Sequence, residues 1–129
     1  MMTNNKDKQI LQHILAYCDE INLTIKSFGK SKSKFLKDFI YVNAISMPIM
    51  QIGELSKKIS DDVKMELPDI PWKQIAGIRN IFAHAYHSMD KEVIWETATT
   101  DIPALQATIK RYMKNNHIEA LKSSQGEEK

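Results

Sequence analysis

With 129 residues, 43% of them hydrophobic and 26% charged, and a formal net charge of +2, the chain has the size and apolar content of one folded domain. Its charge is too balanced for nucleic-acid binding to follow from net charge alone. The single cysteine, Cys18, excludes an internal disulfide framework and reads as a small core residue in a reducing compartment. No apolar run has the length of a bilayer-crossing helix, and the polar start Met1-Met2-Thr3-Asn4-Asn5-Lys6 has no signal-peptide core, so the expected setting is the cytoplasm with no membrane partner.

In chain order, Ile10, Ile14, Tyr17, Ile21, Ile25 and Phe28 recur at three- and four-residue steps and predict a first helix, with Lys26 in its last turn and Gly29 just past its end. The turn Gly29-Lys30-Ser31-Lys32-Ser33 leads to a second periodic run through Phe35, Phe39, Val42, Ile45, Ile49, Ile52, Leu55 and Ile59. Pro48 predicts a kink near Ala44 to Pro48, and Gly53 allows close helix approach. Residues 61–70 are acidic and broken by Pro68, which predicts a connection. Pro71 suits the first position of a third helix running to about His87, with Ile75, Ile78, Ile81, Phe82 and Ala85 as its apolar stripe.

Asp90 suits the cap of a short fourth helix holding Val93, Ile94 and Trp95. Thr99-Thr100-Asp101-Ile102-Pro103 predicts its interruption, because a residue before proline avoids helical geometry. A fifth helix from about Ile102 carries Leu105, Ile109, Tyr112 and Met113. The expectation is an all-α, up-and-down bundle of four to five helices with a kinked second helix, forming a single domain over residues 1–122 and a disordered tail over 123–129.

The third helix holds the densest chemistry, Arg79-Asn80-Ile81-Phe82-Ala83-His84-Ala85-Tyr86. A guanidinium offers a planar fork for a phosphodiester, an imidazole exchanges protons near neutral pH, and a phenol adds a hydroxyl. At 100° per residue, Arg79 and Tyr86 lie within about 20° of each other and His84 about 140° from Arg79, so one straight helix does not aim all three at a point. Either the helix unwinds near His84, or a second subunit completes the site. The second route is favoured, because a two-fold dimer packing this helix on its copy places two arginines and two histidines around one cleft.

The Arg-x-x-x-x-His-x-Tyr pattern at Arg79, His84 and Tyr86 resembles the signature of the HEPN superfamily, specifically the HepT-like toxin ribonucleases of bacterial and archaeal toxin-antitoxin pairs. Gly53-Glu54, Leu67-Pro68-Asp69-Ile70-Pro71-Trp72, Arg79-Asn80 and Asp101-Ile102-Pro103-Ala104-Leu105 add to the resemblance, which covers roughly residues 7 to 115. It implies a HEPN-like helical fold and a metal-independent endoribonuclease that needs no cofactor and acts as a homodimer or higher oligomer. It further implies pairing with a minimal nucleotidyltransferase antitoxin, in a type VII-like system, that attaches adenylate to the motif tyrosine, here Tyr86. In that reading His84 transfers protons, Arg79 holds the scissile phosphate, Asn80 orients the backbone or the substrate, Tyr86 positions phosphate or ribose, and Glu54 braces Arg79. The alternative is a non-catalytic helical partner that binds a nucleotidyltransferase.

Taken singly, these residues have plainer uses. His84 suits a core histidine bonded to a carbonyl, Arg79 a structural partner for Glu54 or Asp69, Tyr86 a helix-end aromatic, Trp72 a packing anchor, and His87 a surface residue. The basic run Lys26, Lys30, Lys32, Lys34 and Lys37 suits a solvated turn more than an RNA track, and Phe28 and Phe35 beside it fall on the apolar stripe. The methionines read as gap fillers. No glycine-rich phosphate loop, cysteine-histidine metal spacing or serine-histidine-aspartate order is present.

Overall fold

A computed structural model describes the backbone of residues 5–85 and 91–127 and the side chains of residues 5–78 and 91–116. Helix α1 spans Asn5–Phe28 and buries Ile10, Leu11, Ile14, Cys18, Ile21 and Ile25 along the predicted stripe. It stops at Gly29, whose φ of +102° suits a residue without a Cβ and whose amide still reaches the Ile25 carbonyl at 2.8 Å.

The second periodic run is two helices, not one. Helix α2, Lys32–Lys37, is capped by the Ser31 hydroxyl, and α3, Phe39–Ser56, begins afresh at Asp38. The Asp38 carboxylate accepts the Ile40 and Tyr41 amides at 3.0 and 3.3 Å, so its side chain captures the donors that a continuous helix would have used. Helix α3 continues through the buried Pro48, so the lost donor is absorbed inside a helix and the pronounced break falls at Asp38.

The acidic connection also contains a helix, α4, Asp61–Glu66. Ser60 accepts the Val63 amide while Asp61 and Asp62 occupy the first turn, where the helix dipole favours negative charge; the sequence carried this capping signal, but Pro68 dominated its reading. Helix α5 spans Trp72–Ala85, and its first turn closes on the Pro71 carbonyl, which accepts the Ile75 amide at 3.0 Å.

Asp90, the expected cap of the fourth helix, lies outside the described residues, and α6 spans Lys91–Glu96. The expected interruption before Pro103 does not occur: α6 widens into a π turn over Thr97–Asp101 that runs directly into α7, Ile102–Glu127. Pro103 removes a donor and crowds the carbonyl four residues earlier, and the wider turn relieves both. Threonine hydroxyls take up slack carbonyls, Thr97 on Val93 and Thr99 on Trp95, each at 2.8 Å. The backbone of α7 is helical to Glu127.

The result is an all-α bundle whose long members are α1, α3, α5 and α7, with no strand among the described residues. Helix α3 packs against both α1 and α5, and α7 closes over α1. The short return through residues 57–71 makes α3 and α5 antiparallel neighbours. Phe35, Tyr41 and Trp95 form an aromatic knot, with Phe28 stacked on Tyr41 at 4.6 Å, which fastens α2 and α6 to the end of α1. Polar ties lie between the helices. The buried Asp7 receives the Ser60 amide and hydroxyl at 2.9 and 2.6 Å. The largely buried Gln106 bridges Asn22 and Asp19 of α1 at 2.9 and 2.7 Å. Tyr112 donates to Glu66 at 2.6 Å.

Cys18 is fully buried, as the sequence predicts. Burial, reinforced by neighbouring Asp19, pushes its thiol from an ordinary 9.0 up to about 12. Native protein at pH 8 should therefore resist Ellman's reagent, with one thiol appearing only in denaturant. Between pH 9 and 12 the unfolded chain releases a proton that the native chain keeps, so this group lowers stability as pH rises through that window. Urea midpoints measured across it should fall more steeply for the parent than for Cys18→Ala.

Candidate active site

The candidate segment is presented by α5, whose start is fixed by local chemistry. Trp72 is buried, and its indole N–H donates to the Leu67 carbonyl at 3.1 Å, locking the lead-in to the helix. This supports the packing-anchor reading of Trp72. Ile75 is buried beneath the helix and Ile78 is half-buried.

The backbone is α-helical across Arg79, Asn80 and His84 and remains so to Ala85. The backbone positions of Arg79 and His84 therefore keep the arc of about 140° that a regular helix gives them. The side chains of Arg79, Asn80 and His84 lie outside the described residues, as do Tyr86 and His87 entirely. Glu54 is half-buried in the last turn of α3, on the helix that packs against α5.

Beside the first half of α5 lies a groove of about 250 Å³, floored by Ile49 and Ile52 of α3, Ile75 and Ile78 of α5, and Ile102 and Leu105 of α7. Asp69, Gln74 and Asp101 contribute polar groups, with Thr97 from the π turn. Among the described lining residues there are carboxylates and no cation, a setting that favours an apolar or neutral group over a phosphate. The sequence reading missed this wall because it took Thr99 to Pro103 as a break; the threonine run ahead of the proline was the available signal.

The basic run is partly committed to structure. Lys32 pairs with Glu92 at 3.6 Å on the surface, and Lys34 donates to the Phe28 carbonyl, while Lys26, Lys30 and Lys37 are exposed. Phe35 is buried and Phe28 half-buried, in the core as expected rather than offered to bases.

Against known protein families, residues 14–112 match the family described as Ribonuclease HepT-like, a span that contains α5 and every motif residue. The chain belongs to the HepT-like ribonuclease family. A relative named "Putative RNase" from Caldanaerobacter subterraneus subsp. tengcongensis is 32% identical over 81% of this chain and 91% of its own length. Another of that name, from Methanocaldococcus jannaschii, is 34% identical over 84% of this chain and 91% of its own. A "Probable ribonuclease HepT" from Thermococcus cleftensis is 41% identical over 49% of this chain and 57% of its own. No solved structure matches the chain significantly. The HepT-like fold accounts for the all-helical architecture, and no helix among the described residues is long and apolar enough to cross a membrane.

Proposed function

We propose that this protein is a toxin endoribonuclease of a type VII-like pair, cleaving RNA without a metal ion in a cleft between two copies, and silenced when a nucleotidyltransferase antitoxin adenylylates Tyr86. The observation that carries the reading is Arg79, Asn80 and His84 on the regular helix α5 of a HepT-like chain. The ribose 2′-hydroxyl attacks the adjacent phosphorus as the bond to the 5′-oxygen breaks, so the protein has to move protons and hold charge rather than supply a nucleophile. His84 exchanges the proton at that linkage, and Arg79 grips the phosphate oxygens and meets their developing charge. Asn80 orients backbone or substrate, and Glu54 braces Arg79 from α3. Adenylate on Tyr86 fills the cleft and sets negative charge beside Arg79.

The test is labelled RNA incubated with purified protein in excess chelator. Cleavage is expected, and it should be lost in His84→Ala; a variant as fast as the parent removes His84 from the mechanism. Co-expression with a nucleotidyltransferase encoded beside this chain should add one adenylate to Tyr86. Tight binding of that partner by a chain that never cleaves RNA and carries no adenylate overturns this reading in favour of the non-catalytic module.

A further inference from the structure

The groove beside α5 is walled by two helical ridges. Pro71, Ile75 and Ile78 line it from the α5 side, and Asp101, Leu105 and Thr108 from the α7 side, each set stepping by four and then three residues. On a helix such a set falls within about 60°, the spacing by which one helix receives another. The Tyr112 hydroxyl donates to Glu66, just ahead of Asp69, so α7 runs antiparallel to α5. Asp69 therefore stands at one end of the groove and Asp101 at the other, with ridges between them about 10 Å long, the rise of two helical turns. Both carboxylates are exposed, and neither has a hydrogen bond or ion pair among the described residues.

We propose that this groove receives a helix of a partner protein, anchored by one large aliphatic or aromatic side chain and carrying a lysine or arginine about one turn to either side of it. The volume of about 250 Å³ falls below the roughly 300–1,000 Å³ of small-molecule sites and suits a single large side chain. The isoleucine and leucine floor takes the apolar anchor, and carboxylates two turns apart match cations about seven residues apart along a helix. A second copy fits poorly. Of the exposed apolar side chains among the described residues, none has a cation one turn to both sides, and Leu23 and Met65 instead have carboxylates one turn earlier, Glu20 for the one and Asp61 and Asp62 for the other. Those would meet Asp69 or Asp101 as like charges. Asp101 and Thr97 reach the groove from the π turn, a break in helical regularity of a kind that recurs at functional sites. Docking here neither requires nor excludes RNA cleavage at α5.

The test is fluorescence anisotropy of a labelled, alanine-based helical peptide mixed with the full chain, the peptide carrying a central leucine with one arginine four positions before it and another three positions after. Saturable binding is expected. The same peptide with glutamates in place of its arginines should bind at least about tenfold more weakly, and so should the parent peptide to the double variant Asp69→Lys/Asp101→Lys, since both reverse two exposed ion pairs. Ala104→Trp, which fills the groove from its exposed rim, should abolish binding while circular dichroism stays native. The charge reversals leave the shape of the groove alone, so they decide the matter even if the tryptophan disturbs folding. Absence of binding to the parent, equal binding of the glutamate peptide, or full binding to the double variant overturns the proposal. Analytical ultracentrifugation of parent and Ala104→Trp supplies the remaining arm: self-association that the tryptophan abolishes would make a second copy the occupant and overturn it as well.

Discussion

Mixing Arg79→Ala with His84→Ala subunits is expected to restore cleavage that neither variant has alone. Each substitution should slow the parent by roughly 10²–10⁴, the range for losing a positioned proton-transfer group or a charge-stabilising donor. After subunit exchange, about half the dimers contain one of each variant, and in each of these one of two composite sites keeps an intact arginine from one copy and an intact histidine from the other. Activity should therefore return to about a quarter of the parental value if the two-fold shares residues across the interface. Were each site built within one chain, every mixed dimer would hold two broken sites and the mixture would stay inert. The contrast rests on the proposed two-copy cleft together with the α-helical backbone from Arg79 through His84.

The largest stability effect is expected at Asp7, far from the motif. Its carboxylate is 2% exposed and receives both the amide and the hydroxyl of Ser60. Because Ser60 is also the cap of α4, this one side chain joins the start of α1 to the segment between α3 and α5. Asp7→Ala strands a half-buried amide and hydroxyl and removes two charge-assisted hydrogen bonds, a loss of about 2–3 kcal/mol. For a domain of this size that lowers the melting temperature by roughly 10 °C. Asp7→Asn keeps the shape and one acceptor but turns an N–H donor toward donors, so it should recover only part of the loss. A calorimetric scan showing either variant within a degree of the parent would refute the clamp.

The long helices were legible because each writes one apolar stripe at helical spacing. Ile10 to Ile25 in α1, and Leu105 and Ile109 in α7, are buried as that periodicity predicts. Breaks were read less well, for a definite reason: they depend on which of two competing partners a backbone amide finds. Asp38 ended a helix inside an unbroken apolar run because its carboxylate sits within reach of Ile40 and Tyr41. Pro103 failed to end one because the chain widened into a π turn. The acidic stretch before Pro68 became α4 because Ser60, itself held by Asp7, presented a cap.

The candidate site divides in the same way. Sequence alone determined which groups are available and that they ride on one helix, since residue type and a 3.6-residue period need no knowledge of neighbours. It also determined the angular problem, an arginine and a histidine about 140° apart. Tertiary structure decided how that helix is held, with α5 anchored at Trp72, packed on α3 and helical to Ala85. It decided as well that one side of α3 is left apolar and uncovered. Burial is a property of what packs against a residue, and the same isoleucine spacing serves a core or a second chain until the neighbours are in place.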